Sequence, residues 1–149
     1  MREILFRGKR KDNGEWAEGF FLSNDNKAYI LAQGELTNSL DEGELLHTCW
    51  VHEVDPETVG RFTGLYDKNS RPIYEGDYIL AVLPATTLRR EFVWPIMPVV
   101  YSRGAFGLAD SHGEVTPLCG FAPYVTFEVV GNVHDAEYRS DTQQEATEQ

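Results

Sequence analysis

Val54 to Ile79 reads VDPETVGRFTGLYDKNSRPIYEGDYI, and its punctuation sets the secondary structure on both sides of it. Asp55-Pro56 pairs a good N-cap with a residue whose fixed φ suits the first turn of a short helix or a tight bend. Thr58 to Tyr66 then alternates small or polar positions with larger ones, Asp67-Lys68-Asn69-Ser70 supplies turn chemistry, and Ile73-Tyr74 resumes an apolar β pattern. This is a hairpin. Glu75-Gly76-Asp77 punctuates the chain again before Tyr78 to Leu83, a further strand.

Upstream, Glu3 to Gly8 and Trp16 to Leu22 flank Lys11-Asp12-Asn13-Gly14, and Asn-Gly is a strong hairpin signal because both residues tolerate positive φ. Ala28 to Ala32 and Cys49 to Val54 read as further strands. Glu35 to Leu46 is a short helix or a long polar loop: Leu36, Leu40 and Leu45 have partly helical spacing, and Gly43 weakens it. Downstream, Glu91 to Tyr101, Ala105 to Ala109 and Phe127 to Val133 are strand candidates. Pro95 and Pro98 remove ladder donors, so their segment is expected at a sheet edge or a bulged corner. A weak internal echo links Phe6-Arg7-Gly8, Asn13-Gly14 and Glu18-Gly19 to Phe62-Thr63-Gly64, Asn69-Ser70 and Glu75-Gly76.

These elements define a mainly β protein with minor α, an N-terminal hairpin lobe over residues 1–54 and an SH3-like barrel over 55–139. Together they form one unit, residues 1–139. Residues 140–149, SDTQQEATEQ, have no apolar residue beyond Ala146 and are expected to be a disordered tail. A chain of 149 residues buries roughly 70% of its unfolded surface, enough for a core without disulfide or metal.

Asp55 to Gly60, Thr63-Gly64-Leu65 with Asp67, Glu75-Gly76-Asp77 and Val129 to Val133 together resemble the signature of the YopX family of phage and prophage proteins. In that pattern Asp55, Pro56, Thr58, Gly60, Thr63, Gly64, Asp67, Asn69, Glu75, Gly76, Asp77, Gly131 and Asn132 carry the match. Asp55, Asp67 and Asp77 each have a capping or turn explanation, so the set is read as structural. Ser70 stands where the family pattern has Gly, and Asn69 is expected to take the left-handed position instead. The resemblance brings no enzymatic activity and no cofactor. It implies a phage or prophage accessory protein, read as a non-enzymatic binding or assembly module.

The formal net charge of −11 disfavours a general grip on phosphates. The charge is uneven: Arg2, Arg7, Lys9, Arg10 and Lys11 crowd the first hairpin, whereas Glu35, Asp41, Glu42, Glu44, Glu53, Asp55 and Glu57 follow with no basic residue between Lys27 and Arg61. Lys9, Arg10 and Lys11 are the residues a nucleic-acid contact would use. The alternative is a match between the two charged stretches, within the chain or between copies, and a homo-oligomer is the favoured expectation with protein partners as the other.

His47, Cys49 and His52, with Cys119, His112 or His134, are the candidate zinc ligands. In a strand, however, His47 and Cys49 face opposite to His52, so no metal is expected. No P-loop, G-x-G-x-x-G or G-x-S-x-G occurs, and an enzyme would need a site without a recognisable motif. Ile4-Leu5-Phe6 is too short for a signal-peptide core or a membrane span, giving a cytoplasmic expectation without membrane association. Aromatic residues remain: most must fill the core, and those around Trp94 to Tyr101, where prolines deny regular pairing, are candidates to line a binding groove.

Overall fold

The computed structural model describes residues 5–33 and 49–135, with the side chains of Gln33, Cys49 and Trp50 outside that description. The possible helix over 35–46, His47 and the 140–149 tail lie outside the described residues. The fold is mainly β, two antiparallel sheets with short 3-10 turns and no α-helix among the described residues. The chain divides into two compact units, Met1–Phe62 and Thr63–Gln149.

The first unit contains β1 (Phe6–Lys9), β2 (Trp16–Asn24), β3 (Lys27–Gln33) and β4 (Cys49–Val54), hydrogen-bonded in the order β4-β3-β2-β1. Arg7 and Phe6 of β1 then pair with Gly60 and Arg61, the first residues of β5 (Gly60–Tyr66). Beyond β1 the chain turns back onto β4. Arg10 bridges Val54, the Lys11 amide donates to the Glu53 carbonyl at 3.0 Å, and the Asp55 amide donates to the Lys9 carbonyl at 2.8 Å. The sheet therefore curls onto itself around Ala17, Ala28, Ile30 and Val54, with Phe6, Phe21 and Val59 packed against them. That curl needs close backbone approach. A Cβ on Gly19 would stand 1.9 Å from the Leu31 carbonyl oxygen, and one on Gly8 would press into the Val54 side chain.

The first hairpin departs from the two-residue turn that Asn13-Gly14 signals. Arg10 and Glu15 close a longer loop, with the Arg10 amide on the Glu15 carbonyl at 2.8 Å. Only Gly14 takes positive φ. Asn13 instead spends its side chain on the Glu15 amide, an Asx-type contact that favours the longer loop.

In the second unit the remainder of β5 pairs with β6 (Pro72–Tyr74). The second sheet has the order β11-β10-β9-β7-β12, from β7 (Asp77–Leu83), β9 (Met97–Ser102), β10 (Ala105–Ala109), β11 (Val115–Pro117) and β12 (Thr126–Asn132), with β8 (Phe92–Val93) on β7. It forms a strongly curled half-barrel. Ile73, Ile79, Ala81, Val99 and Leu108 lie at its centre, each at most 1% exposed.

Pro98 sits inside this sheet, because β9 lies between β10 and β7. The strand changes partner at that residue: Met97 and Pro98 pair with β7, whereas Val99 to Ser102 pair with β10. Of the two positions expected for the prolines, the edge is thus corrected for β9 and the corner describes it. A proline is tolerated where the ladder passes from one neighbour to the next, and the change of partner bends the sheet. Val115–Pro117 was not recognised as a strand. It approaches so closely that a Cβ on Gly107 would meet Val115 Cγ1 at 2.6 Å.

The left-handed residue of the β5–β6 turn is Ser70, at φ 62°, which corrects the assignment to Asn69. Asp67 accounts for the placement. Its Oδ1 accepts from the amides of Asn69 (2.9 Å) and Arg71 (2.8 Å), while the Ser70 amide donates to the Asp67 carbonyl at 3.0 Å. Asn69 is held in the turn by its own amide, and the reversal falls on the next residue. Ser70→Gly is expected to raise stability by up to about 1 kcal/mol, and Ser70→Val to lower it by about 1–2 kcal/mol. Denaturant midpoints measure both; a destabilised glycine variant would place the left-handed residue elsewhere.

Candidate functional site

The three aspartates of the Val54–Ile79 stretch, Asp55, Asp67 and Asp77, are spent largely on backbone geometry. Asp55 caps the 3-10 turn Pro56–Thr58 by accepting from the Glu57 amide at 3.1 Å, and Thr58 Oγ1 donates to the Asp55 carbonyl while accepting from the Lys9 amide. Gly60 is buried against β1. Thr63 Oγ1 donates to the Ile73 carbonyl at 2.8 Å, and Gly64 takes φ 87° in β5.

Asp67 and Asp77 reach further. Besides the turn amides, Asp67 accepts at Oδ2 from the Val129 amide of β12 at 3.0 Å, across 62 residues of chain. The Lys68 amide donates to the Phe127 carbonyl at 2.8 Å, so the hairpin turn covers an edge of β12 opposite its β7 pairing. Asp77, 1% exposed, accepts from the Tyr74 amide at 2.9 Å and from Asn132 Nδ2 at 3.0 Å. A register shift between Val129 and Gly131 brings Asn132 opposite Asp77, and Asn132 Oδ1 then accepts from the His134 amide. Gly76, which follows Glu75 at φ 91°, donates its amide to the Val99 carbonyl and accepts from the Val133 amide.

Burial pushes the Asp67 carboxyl up, but the amides of Val129, Arg71 and Asn69, helped by the Arg71 charge, hold it below its ordinary value of 3.8. Several hydrogen bonds outweigh partial desolvation.

The basic hairpin is engaged locally. Arg10 forms a two-bond pair with Asp12, at 2.9 and 2.6 Å, and holds that carboxyl below its ordinary value through the hydrogen bond. Lys11 Nζ lies 3.4 Å from Glu53, and Lys9 lies over the Trp16 ring at 5.2 Å with Arg7 over the same ring at 4.3 Å. Of the suggested zinc ligands, His52 lies on β4, His112 in the exposed 110–113 turn, Cys119 exposed in the 3-10 turn Leu118–Gly120 and His134 just past β12. No group of three or more His, Cys, Asp or Glu side chains that could hold a metal occurs among the described residues. Nor is any helix there long and apolar enough to cross a membrane.

What the second unit does present is an open groove of about 850 Å³. Trp94 to Pro98 line it, joined by Phe121, Tyr124 and Tyr78. Tyr101 lies outside the lining and packs on Phe106, ring centroids 5.1 Å apart. Trp94 is wedged edge-on between Phe92, at 4.8 Å, and Phe121, at 5.4 Å, with Phe127 next in line. The Trp94 amide donates to the Ala81 carbonyl, which keeps this ring on the half-barrel after β8 ends. The polar lining is sparse. Asp110 uses Oδ1 for the amides of His112 (2.8 Å) and Glu114 (2.9 Å), leaving Arg89 as the cation of the lining.

The model of the family described as YopX protein matches residues 5–137. The chain belongs to the YopX family. The matched region contains both carboxylate clamps and the whole groove, so these are features of the YopX-like part of the molecule. No curated protein matches the chain. Within the second unit the YopX signature aspartates and the groove fall on different places: Asp67 and Asp77 bind backbone and Asn132, whereas the groove is lined mainly from the β8–β9 segment and the 109–125 region. Arg89 was not singled out from the sequence. It lies in a polar-looking connection, and only the return of that connection over Tyr124, 5.3 Å from the guanidinium, brings it to the groove.

Asp67→Asn is expected to lower stability at neutral pH by about 2 kcal/mol, since an amide placed on Oδ2 would oppose the Val129 amide donor with a second donor. With the folded value depressed, the carboxylate's contribution is fully present above the unfolded value of about 3.9 and is lost as pH falls through the folded value. The variant should therefore lose part of the wild type's acid dependence below about pH 4. Urea midpoints against pH read both effects; an unchanged acid limb would mean Asp67 is not a source of it.

Proposed function

We propose that this YopX-family chain is a non-enzymatic binding module, an accessory protein of phage or prophage origin working in the bacterial cytoplasm, and that its second unit holds an extended segment of a partner protein in the half-barrel groove. The observation that carries this reading is the groove's composition. Aromatic and aliphatic side chains from Trp94 to Pro98 and from Phe121 to Val125 form its walls, and a few polar groups are set among them, the usual make-up of a site that recognises by shape and burial. Its apolar surface also extends outward. Ile96 is 43% exposed and Tyr124 58% exposed, and Phe92, half exposed, continues the aromatic row beyond Trp94. Exposed apolar surface contiguous with a groove supports a macromolecular partner over a small enclosed ligand.

Nucleic-acid contact through Lys9, Arg10 and Lys11 has weaker support, because Arg10 and Lys11 are paired with Asp12 and Glu53 and would have to leave them. The same pairs weaken the case for head-to-tail self-association by charge. The covered edge of β12 weakens the case for assembly by strand addition there.

Ile96→Glu tests the groove. The residue is half exposed, so the substitution should leave stability within about 0.5 kcal/mol while placing a charge on the apolar wall. Peptides selected on the wild-type protein from a random-peptide library are expected to bind the variant at least about tenfold more weakly. Undiminished binding would show that the groove is not where they bind.

A further inference from the structure

We infer that the groove selects a partner segment carrying an internal Asp or Glu between apolar residues, with Arg89 as the group that reads the carboxylate; this rests on the groove reading above. Arg89 is pre-positioned. Its backbone closes a tight turn with Thr86, the Thr86 amide on the Arg89 carbonyl at 2.9 Å and the return bond at 3.4 Å, and its guanidinium lies 5.3 Å from the centre of the Tyr124 ring. A cation–π contact at this distance restrains the guanidinium near the ring.

The donors of the guanidinium are under-used. Nη2 donates to the Pro84 carbonyl at a long 3.3 Å, and Nε is buried with no hydrogen-bond partner. Nε is closed off from solvent and so out of a ligand's reach, whereas a carboxylate meeting the terminal nitrogens Nη1 and Nη2 gains charge-assisted bonds in the planar two-bond geometry that suits guanidinium. Asp110, the carboxylate of the groove lining, is occupied by two backbone amides at Oδ1.

Asp110 keeps its negative charge in the lining, so it is the guanidinium locally, and not the groove as a whole, that favours an anionic ligand group at the Arg89 end, even on a chain of net charge −11. The carboxylate belongs to a side chain and not to a chain terminus, because apolar surface lies on both sides of Arg89. Leu88, 96% exposed, is its neighbour at the tip of the turn, and Tyr124 and Trp94 lie on the groove side. A segment ending at Arg89 would leave one of them uncovered.

The probe is a set of peptides selected on the wild-type chain from a random-peptide library and synthesised with amidated C-termini, so that every carboxylate is a side chain's. The selected sequences should be enriched in Asp or Glu flanked by aromatic or aliphatic residues. Changing that acid to its amide should weaken binding to the wild type at least about tenfold and make little difference to Arg89→Gln, whereas Arg90→Gln, at the exposed neighbouring arginine, should bind like the wild type. Arg89→Lys keeps the charge and loses the fork, and should show a several-fold loss even if Arg89→Gln folds poorly. Indifference of the peptide acid, or equal losses in Arg89→Gln and Arg90→Gln, would overturn the carboxylate inference while sensitivity to Ile96→Glu left the groove reading standing. Peptides insensitive to Ile96→Glu as well would overturn both.

Discussion

The hydrogen bond from the Val129 amide to Asp67 Oδ2 is the contact on which the second unit's architecture turns. β12 pairs along one side with β7 and would otherwise present its remaining donors and acceptors to solvent as a sheet edge. Asp67 places one carboxylate so that it organises its own turn with one oxygen and captures that edge with the other. Because the group is largely buried, an amide left without it would lose a charge-assisted partner where water is a poor substitute. Asp77 repeats the device at the other end of the strand through Asn132, and the register shift at Val129/Gly131 is what allows both ends to be met.

This arrangement accounts for why so acidic a chain carries a YopX signature rich in Asp without an acid-base site following from it. Each signature carboxylate described above receives backbone donors or an amide side chain, and such groups set geometry. The groove depends on the geometry so produced. Gly76 ties the turn before β7 to Val99 on β9 and to Val133 past β12, and β9 leaves β7 at Pro98 just where Trp94 to Pro98 form a groove wall. Framework and recognition surface are thus adjacent but chemically distinct: one is polar, buried and satisfied, the other apolar, open and lined by an under-used cation.

Much of this was legible in the chain. Cys49–Val54 and Ala105–Ala109 match their expected limits, the Asp67–Ser70 turn was recognisable from its residue types, and two prolines with Trp94 between strands pointed to the groove wall. What was missed depends on tertiary pairing. Choosing between Asn69 and Ser70 for the left-handed position requires knowing that Asp67 holds the Asn69 amide. Val115–Pro117 is too short and too proline-bounded to announce a strand without Gly107 opposite it. The Arg10–Val54 bridge that curls the first unit joins residues far apart in sequence, and Arg89 acquires significance only from Tyr124. Local chemistry can be read from one chain; which distant backbone completes it cannot.

Amide hydrogen exchange in the Asp67→Asn variant tests most directly whether this carboxylate organises the second unit or merely decorates a turn. If β12 is held as described, protection should fall together at Val129, along the β7–β12 ladder and at the β9 amides beside the groove, by a common factor of at least about tenfold. Loss confined to Asn69, Arg71 and Val129, with β7 and β9 protected as in the wild type, would contradict the account and reduce Asp67 to a local turn residue.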